Sequence, residues 1–331
     1  MEWMKDKMVN KVKMASLDKR ELIILSGKYG TVLILFGMII AFSLFLPTFR
    51  SVNNILNVLG QTTMLSIFAA GMTCALKMGD FDLSIGAISA ISSIIVATLL
   101  LAGFAAPLAI SGALLAGIII GVINGFFVAY LGLNALVCTL AIMSITLGVA
   151  MGITKGNSIW DLPESFSLLG QGDISGIPIR FIIAISLLFA LWIFHVYTPT
   201  GRRMEAIGGN PDAARMSGIN VEYHRLIGFV LSGFCASLAG VLLTSQLMTA
   251  NATQGTDYLL DAFGASFIGA ATIHIGRFHI WGTFIGVLIV VIAINGLIIM
   301  MMPSYLTQFI QGLILLVAIL LAGLTGRFLK K

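Results

Sequence analysis

The sequence predicts an all-α integral membrane protein of about ten transmembrane helices, and three observations lead to this prediction. Of its 331 residues, 58% are hydrophobic and only 10% are charged, and the mean hydropathy is +1.03. A soluble domain carries roughly 25% charged residues, so this composition excludes an ordinary water-soluble protein. The apolar residues fall into long runs, and the basic residues are distributed unevenly between the connections.

The apolar runs define the predicted spans. A helix needs roughly 20 mostly apolar residues to cross the hydrocarbon core of a bilayer. We therefore predict spans at about 30–49, 56–77, 83–102, 105–131, 134–153, 180–198, 225–248, 259–273, 281–301 and 304–324. In the fourth run, Gly117, Gly121 and Gly125 recur at every fourth position, which predicts close contact with another helix.

The basic residues predict the orientation. If the N-terminus is cytoplasmic, 16 of the 19 Lys and Arg residues lie on the cytoplasmic side. The outer side then has only Arg50, Lys155 and Arg180. Cytoplasmic loops of membrane proteins carry such an excess of basic residues, so we expect both termini to be cytoplasmic.

The chain then divides into three parts. Residues 1–29 form a cytoplasmic N-terminal segment, residues 30–325 form the transmembrane domain, and residues 326–331 form a basic cytoplasmic tail. The lysine-rich N-terminus lacks the small-residue cleavage pattern of a signal peptide, so we interpret the first apolar run as a span. Two polar connections are long: an external loop at 154–179 and a cytoplasmic loop at 199–224.

The cytoplasmic loop contains signals for a short helix. Asn210 is a good N-cap, Pro211 suits the first helical position, and Asp212 complements the positive end of the helix dipole. Gly218 fits the left-handed position that ends a helix, so we predict a helix from Pro211 to Ser217. The adjacent Ala213 and Ala214 are predicted to offer a small, flat surface to another protein, although a simple solvated connector remains the alternative.

The same loop resembles a characteristic segment of one transporter family. Residues 198–219 read T-x-x-G-R-R-x-x-A-I-G-G-N-x-x-A-A-R-x-S-G-I, which is similar to the cytoplasmic loop of ribose/xylose/arabinose-type ABC permeases. The resemblance implies that this segment couples the permease to an ATP-hydrolysing subunit. The implied coupling residues are Gly201, Arg202, Arg203, Glu205, Gly208, Gly209, Asn210, Ala213, Ala214, Arg215, Ser217 and Gly218.

Two further segments resemble the same family. Residues 79–86, G-D-F-D-L-S-I-G, are similar to the family's G-G-x-D-L-S-x-G, with Asp80 in place of the second glycine. The matching positions are Gly79, Asp80, Asp82, Leu83, Ser84 and Gly86. Residues 166–170 and 176–178 resemble its external loop, whereas residues 269–282 replace a glycine-rich stretch with bulkier residues, including two histidines.

The resemblance implies a function and a set of partners. The expected protein is the membrane-spanning, non-enzymatic subunit of an importer in a bacterial cytoplasmic (inner) membrane, carrying a neutral monosaccharide or a polyol. The implied partners are an ABC ATPase, an external periplasmic or lipid-anchored sugar-binding protein, and a second permease copy or a sister permease, all in contact with membrane lipid. We expect no cofactor, because the partner subunit uses the ATP, and neither a metal nor nucleic acid.

Polar residues inside the predicted spans have two interpretations. Gln61, Thr62, Thr63, Asn124 and Asn295 are costly in lipid, so they should contact another helix or line a solute path. In the segment before the third span, Asp82 or Ser84 could cap the helix, or serve in gating or solute binding.

Other functions are disfavoured by what the sequence lacks. It contains no Gly-x-x-x-x-Gly-Lys-Ser/Thr, His-Glu-x-x-His or Gly-x-Ser-x-Gly motif, so neither a P-loop nor a recognisable intramembrane enzyme is predicted. An ion-coupled secondary transporter remains the alternative, but such proteins usually place ionisable residues in mid-span. Residues 275–282 also suggest a weak internal repeat that relates spans 2–4 to spans 8–10.

Overall fold

Ten long helices account for most of the structure. The structure, a computed structural model, describes residues 30–272 and 276–329. Within these residues the long helices are α1 (Gly30–Phe45), α2 (Val52–Leu76), α3 (Ile85–Leu101), α4 (Ala106–Gly125), α5 (Ala135–Thr154), α7 (Ile179–Tyr197), α10 (Val221–Leu247), α11 (Tyr258–Ala270), α12 (Ile280–Ile299) and α13 (Ser304–Leu329). A π-helical turn, Phe126–Tyr130, continues α4.

The connections contain several short elements. They are the 3-10 turns Pro47–Arg50 and Glu164–Phe166, α6 (Ser167–Gln171), the antiparallel pair β1 (Asp173–Ile174) and β2 (Ile177–Pro178), α8 (Pro199–Gly209) and α9 (Pro211–Met216). The all-α prediction is confirmed apart from this two-residue ribbon. The sequence did not predict α8, which Thr198 begins by accepting a hydrogen bond from the Gly201 N–H at 3.1 Å.

The positions of the predicted spans agree with the helices to within a few residues. Six helices of the described part are long and apolar enough to cross a membrane: α2, α4 with its π turn, α5, α7, α10 and α12. The apolar stretches of α1, α3, α11 and α13 are shorter. The last helix continues to Leu329, past the predicted end at 324, whereas residues 1–29 and 330–331 lie outside the described residues.

Helices α2 and α10 form the centre of the bundle, and most of their residues are buried. Helix α4 packs along α10 through its glycines, as their spacing predicted. A Cβ atom at Gly121 would lie 2.5 Å from the Phe229 carbonyl oxygen, and one at Gly117 would lie 2.5 Å from the carbonyl oxygen of Gly233. The two backbones are therefore in direct contact along this seam.

In the stretch that departs from the family pattern, residues 269–272 and 276–282 are described, and α11 touches α12 there; His274 lies outside the described residues. A Cβ atom at Gly269 would lie 2.4 Å from the Thr283 nitrogen, so the helices touch there. His279 is the N-cap of α12, because its Nδ1 accepts a hydrogen bond from the Gly282 N–H at 2.7 Å. The proposed repeat of spans 2–4 in spans 8–10 stays a prediction.

The long connection at 154–179 folds back onto the far end of α10. The Gly170 N–H donates to the Ser245 hydroxyl at 2.7 Å, and Phe166 is fully buried. Arg180, in the first turn of α7, donates to the Gly170 carbonyl. This end of the bundle is opposite to the end that carries α8 and α9.

Candidate functional site

The candidate site is the end of the bundle formed by α8, α9 and the adjoining ends of α2, α10 and α12, which we call the α8–α9 face. Helix α8 lies directly on the end of α2, because Gly208 has no side chain: a Cβ atom there would lie 1.9 Å from the Lys77 carbonyl oxygen. Met204 and Ile207 are fully buried in a cluster with Met78. This packing fixes the position of α8 relative to the core.

Helix α9 is capped at both ends as the sequence predicted. The Asn210 side chain accepts hydrogen bonds from the Asp212 and Ala213 N–H groups at 3.0 and 3.1 Å. The helix ends at Met216 instead of Ser217, and Gly218 has a φ of +79°, the left-handed conformation that glycine favours. The result is a short, rigid element between α8 and α10.

The alanine pair of α9 does not form one flat surface, so that prediction is wrong. Ala214 is buried and packs in the Met78–Met204–Ile207 cluster, whereas Ala213 is exposed. Neighbouring residues on a helix point about 100° apart, so only one of the two can face outward. The outward surface of α9 instead combines Ala213 with Met216, a residue that is 89% exposed.

Glu205 of α8 forms ion pairs with two other elements. Its carboxylate lies 2.6 Å from Nη1 of Arg277, which precedes α12, and 3.5 Å from Nζ of Lys77, which follows α2. Burial raises the pKa of Glu205, but the two cations outweigh it, so its pKa lies below the ordinary value. Burial lowers the pKa of Lys77, and Glu205 partly offsets this effect.

An open cleft of about 640 Å³ lies beside this triad. Lys77, Gly79, Arg202, Gly208 and Arg277 line it together with Glu205. Three of these side chains (Lys77, Arg202 and Arg277) are cationic and one is anionic, and the next residue, Arg203, is also exposed. The cleft is therefore cationic and open to solvent on the α8–α9 face.

The 79–86 segment begins at the same face, continues into the buried part of the bundle, and is held by ionic and polar contacts. Gly79 has a φ of +85°, and Asp80 pairs with Arg225 in the first turn of α10. The Arg225 Nε donates to Asp80 Oδ2 at 2.7 Å, and Nη2 donates to Oδ1. Leu83 and Gly86 anchor the segment by contacts with Thr139 and Thr256.

Asp82 lies at the centre of a fully buried polar network. Its Oδ1 accepts hydrogen bonds from the Ser84 N–H at 3.0 Å and the Ser84 hydroxyl at 2.6 Å, and its Oδ2 accepts from the Ser232 hydroxyl at 2.7 Å. The Asn124 amide donates to the Ser84 hydroxyl at 2.7 Å. Ser84 is the N-cap residue of α3, but its side chain accepts no hydrogen bond from the first turn of that helix. The Ser84 N–H itself donates to the Asp82 carboxylate. The network connects three helices.

The other polar residues of the spans divide between the two interpretations. Asn295 and Asn54 exchange two side-chain hydrogen bonds of 2.9 and 3.1 Å, which join α12 to α2. Thr63 donates to the Leu59 carbonyl of its own helix, while Thr62 is buried and Gln61 half-buried. Helix contact is therefore shown for Asn124 and Asn295, and a path-lining role stays a prediction for the rest.

Sequence reasoning missed the partners of these residues. The sequence identifies Arg225 and Arg277 only as cytoplasmic charges, and nothing in it distinguishes Ser232 or Asn54. Each partner is distant in sequence, up to 241 positions for Asn54 and Asn295. Only the arrangement of the helices brings them together.

Comparisons with known proteins agree on one type of protein. A family model described as branched-chain amino acid transport system / permease component matches residues 54–319. The ribose import permease protein of Bacillus subtilis is 38% identical over 296 residues, which cover 89% of this chain and 92% of that protein. The D-allose transport system permease protein of Escherichia coli is 32% identical over 302 residues, 91% of this chain and 93% of that protein. The L-arabinose ABC transporter permease protein of Azospirillum brasilense is 30% identical over 298 residues, 89% and 87% of the two chains. No solved structure matches.

Proposed function

We propose that this chain, which belongs to the family of transport-system permease components, passes a neutral monosaccharide or a related polyol through the membrane of a bacterial cell as part of an ABC sugar importer. Its relatives over most of its length are named as permeases for ribose, D-allose and L-arabinose. The observation that carries the proposal is this similarity over the whole bundle, together with the capped helix α9 that the bundle presents.

The α8–α9 face is the proposed contact with a separate ATPase. Helix α9 is short, capped and outward-facing, and the cationic cleft lies next to it. The sequence has no P-loop, so ATP hydrolysis falls to a partner subunit. We place this face in the cytoplasm, both termini on the same side, and the sugar-binding protein at the opposite end, where residues 154–179 fold onto α10.

The proposed cargo is neutral because of where the charges lie. In the described helices, each Lys, Arg, Asp and Glu of a long helix lies within about one turn of a helix end. The carboxylate of Asp82 is buried inside the bundle, but its two oxygens already accept hydrogen bonds from Ser84 and Ser232. An anionic or cationic solute crossing the middle of the bundle would meet a barrier of several kcal/mol without a compensating charge. Amide and hydroxyl groups suit a sugar, and the same distribution disfavours an ion-coupled transporter.

Reconstitution tests the cargo. The permease, its ATPase and its binding protein are incorporated into liposomes, and ATP-dependent uptake of labelled pentoses, hexoses, polyols, sugar phosphates and branched-chain amino acids is measured. We expect uptake of a neutral sugar or polyol that stops without ATP and is insensitive to a protonophore. Uptake of only an amino acid or a sugar phosphate would contradict the proposed cargo, and uptake abolished by the protonophore alone would favour ion coupling.

A pair of substitutions in α9 tests the ATPase contact. Ala213→Arg places a long cation on the exposed side and should release the ATPase from the membrane while leaving the permease inserted and thermally stable. Ala214→Arg is the comparison, because it forces a charge into the buried Met78–Met204–Ile207 cluster and should lower stability first. If Ala213→Arg retained both the ATPase and transport, α9 would not be the contact.

A further inference from the structure

Helix α8 lies between the end of α2 and the residues that precede α12. On one side Gly208 lies against the Lys77 carbonyl at the end of α2, and Ile207 packs with Met78 just beyond that helix. On the other side α8 faces the connection that leads into α12, which begins at Ile280. A displacement of α8 therefore acts on the end of α2 by direct contact, and among the described residues the side-chain pair Glu205–Arg277 connects it to the segment before α12.

Glu205 supplies that side-chain connection. One carboxylate oxygen is 2.6 Å from Arg277, three residues before α12, and the other is 3.5 Å from Lys77, one residue after α2. The Lys77 side chain is only 7% exposed, whereas those of Glu205 and Arg277 are 43% and 70% exposed. The pair with Lys77 is thus shielded from water, and the pair with Arg277 reaches outward from it.

We propose that Glu205 is a positioning residue that transmits movement of α8 and α9 to α2 and α12 together, so that ATP hydrolysis and solute passage stay coupled. The inference rests on the proposed function, since it takes the α8–α9 face as the ATPase contact. Glu205 itself contacts neither the ATPase nor the solute in this scheme. It makes one rigid unit of three elements that the backbone does not connect directly.

Two simpler roles would give Glu205 the same geometry. It could be only a counter-charge for the buried Lys77 ammonium, because an unpaired buried charge is destabilising. It could also be a docking residue for the ATPase, since it is partly exposed in the cleft. The three roles differ in whether stability, ATPase retention or the coupling ratio changes.

The experiment measures the number of solute molecules imported per ATP hydrolysed by the complete complex in liposomes. Glu205→Gln keeps the side-chain shape and removes the charge. We expect it to keep the ATPase bound and hydrolysing, and to lower the imported solute per ATP by about fivefold or more. Arg50→Gln, at an exposed charged residue of the turn before α2, lies outside both the α8–α9 face and residues 154–179; it is the control and should leave the ratio unchanged.

Two further variants separate the alternatives. Lys77→Met combined with Glu205→Gln removes the buried ammonium along with its partner, and the ratio should stay low. Arg277→Gln alone should also lower the ratio, and combined with Glu205→Gln it should add little, because both changes break the same connection. Arg277 is largely exposed, so this variant remains informative if Glu205→Gln fails to fold.

The outcomes are distinct. An unchanged ratio in Glu205→Gln, loss of the ATPase from that variant, recovery in the Lys77→Met double variant, or additive losses with Arg277→Gln would each overturn the proposal. A wild-type complex that shows no ATP-dependent uptake of any neutral sugar or polyol would instead contradict the proposed function. The outcomes that overturn the role of Glu205 can be observed only with a wild-type complex that transports, so they are distinct from a failure of the proposed function.

Discussion

The Asp80–Arg225 ion pair should contribute measurably to stability, and its two partners should respond unequally to substitution. The pair joins the segment after α2 to the first turn of α10 through two hydrogen bonds. The Asp80 side chain is 5% exposed, and that of Arg225 is 26% exposed. Removing the arginine therefore leaves a buried carboxylate, while removing the aspartate leaves a cation that can still reach water.

The expected magnitudes follow from this difference in exposure. Breaking a fully buried pair costs about 3–5 kcal/mol, and partial exposure of Arg225 reduces this, so we expect Arg225→Met to cost about 2–3 kcal/mol. Asp80→Gly, which restores the glycine of the family pattern, should cost about 1 kcal/mol, because Arg225 can be solvated. The double variant Asp80→Gly/Arg225→Met should recover part of the loss, with a coupling energy of about 1–2 kcal/mol.

Thermal unfolding of the detergent-solubilised protein, followed by tryptophan fluorescence, measures these differences. Arg202→Met, a change at an exposed arginine of the same face, is the control and should alter stability by less than about 0.5 kcal/mol. Equal losses for Arg225→Met and Asp80→Gly would contradict the exposure argument. Strictly additive losses in the cycle would show that the pair contributes nothing.

Three further predictions concern orientation and packing. In a cysteine-free background, a cysteine at Asn157 should react with an impermeant maleimide added outside intact cells and one at Met216 should not; the reverse pattern would invert the proposed topology. Asn295→Leu should lower the stability by about 1 kcal/mol in a melting assay. Adding Asn54→Leu should recover part of this stability, since no amide is then left unpaired. If the second substitution instead lowered the stability by the same amount again, the pairing would be contradicted. Gly286→Val should prevent normal packing of α11 on α12, because a Cβ atom there would lie 2.0 Å from a backbone oxygen, and wild-type expression and melting would refute this contact.

The parts of the fold that depend on local pattern could be predicted from the sequence. Long apolar runs locate the helices because lipid imposes both their length and their composition. The glycine spacing in α4 predicted a close seam, and the seam with α10 exists because only glycine lets the backbones touch. The N-cap at Asn210 and the end of the helix before Gly218 depend on a few adjacent residues, so the sequence predicted both.

Helix α8 could not be predicted because tertiary packing overrides its local preference. Three of its residues are glycine (Gly201, Gly208 and Gly209), and each costs about 1 kcal/mol in a helix interior relative to alanine. Gly201 and Gly208 are needed, however, because each lies against the backbone of another helix end. The burial of Met204 and Ile207 offsets the unfavourable propensity.

The candidate site could be predicted only as a list of residues. Gly79, Asp80, Asp82 and the 199–218 segment follow from the family resemblance, but their partners depend on which helices are neighbours. Lys77, Glu205 and Arg277 lie in three separate connections, and charge alone permits other pairings among the basic residues of this face. The structure selects one, because α8 is held on the end of α2 by the absence of a side chain at Gly208.

The chemistry of the contacts differs between the interior and the α8–α9 face, and this difference suits a coupled motion. The interior seams rely on backbone contact at glycines and on short hydrogen bonds between hydroxyl and amide groups, which have no alternative partner in lipid and resist separation. The ion pairs described here, including Arg215–Glu222, lie at helix ends on the α8–α9 face. Because water can replace a partly exposed partner, pairs such as Arg215–Glu222 exchange at low cost, whereas the Glu205–Lys77 pair is shielded from water. A force applied to α9 should therefore pass to α2 and α12 through Glu205, and each buried helix should move as a rigid body.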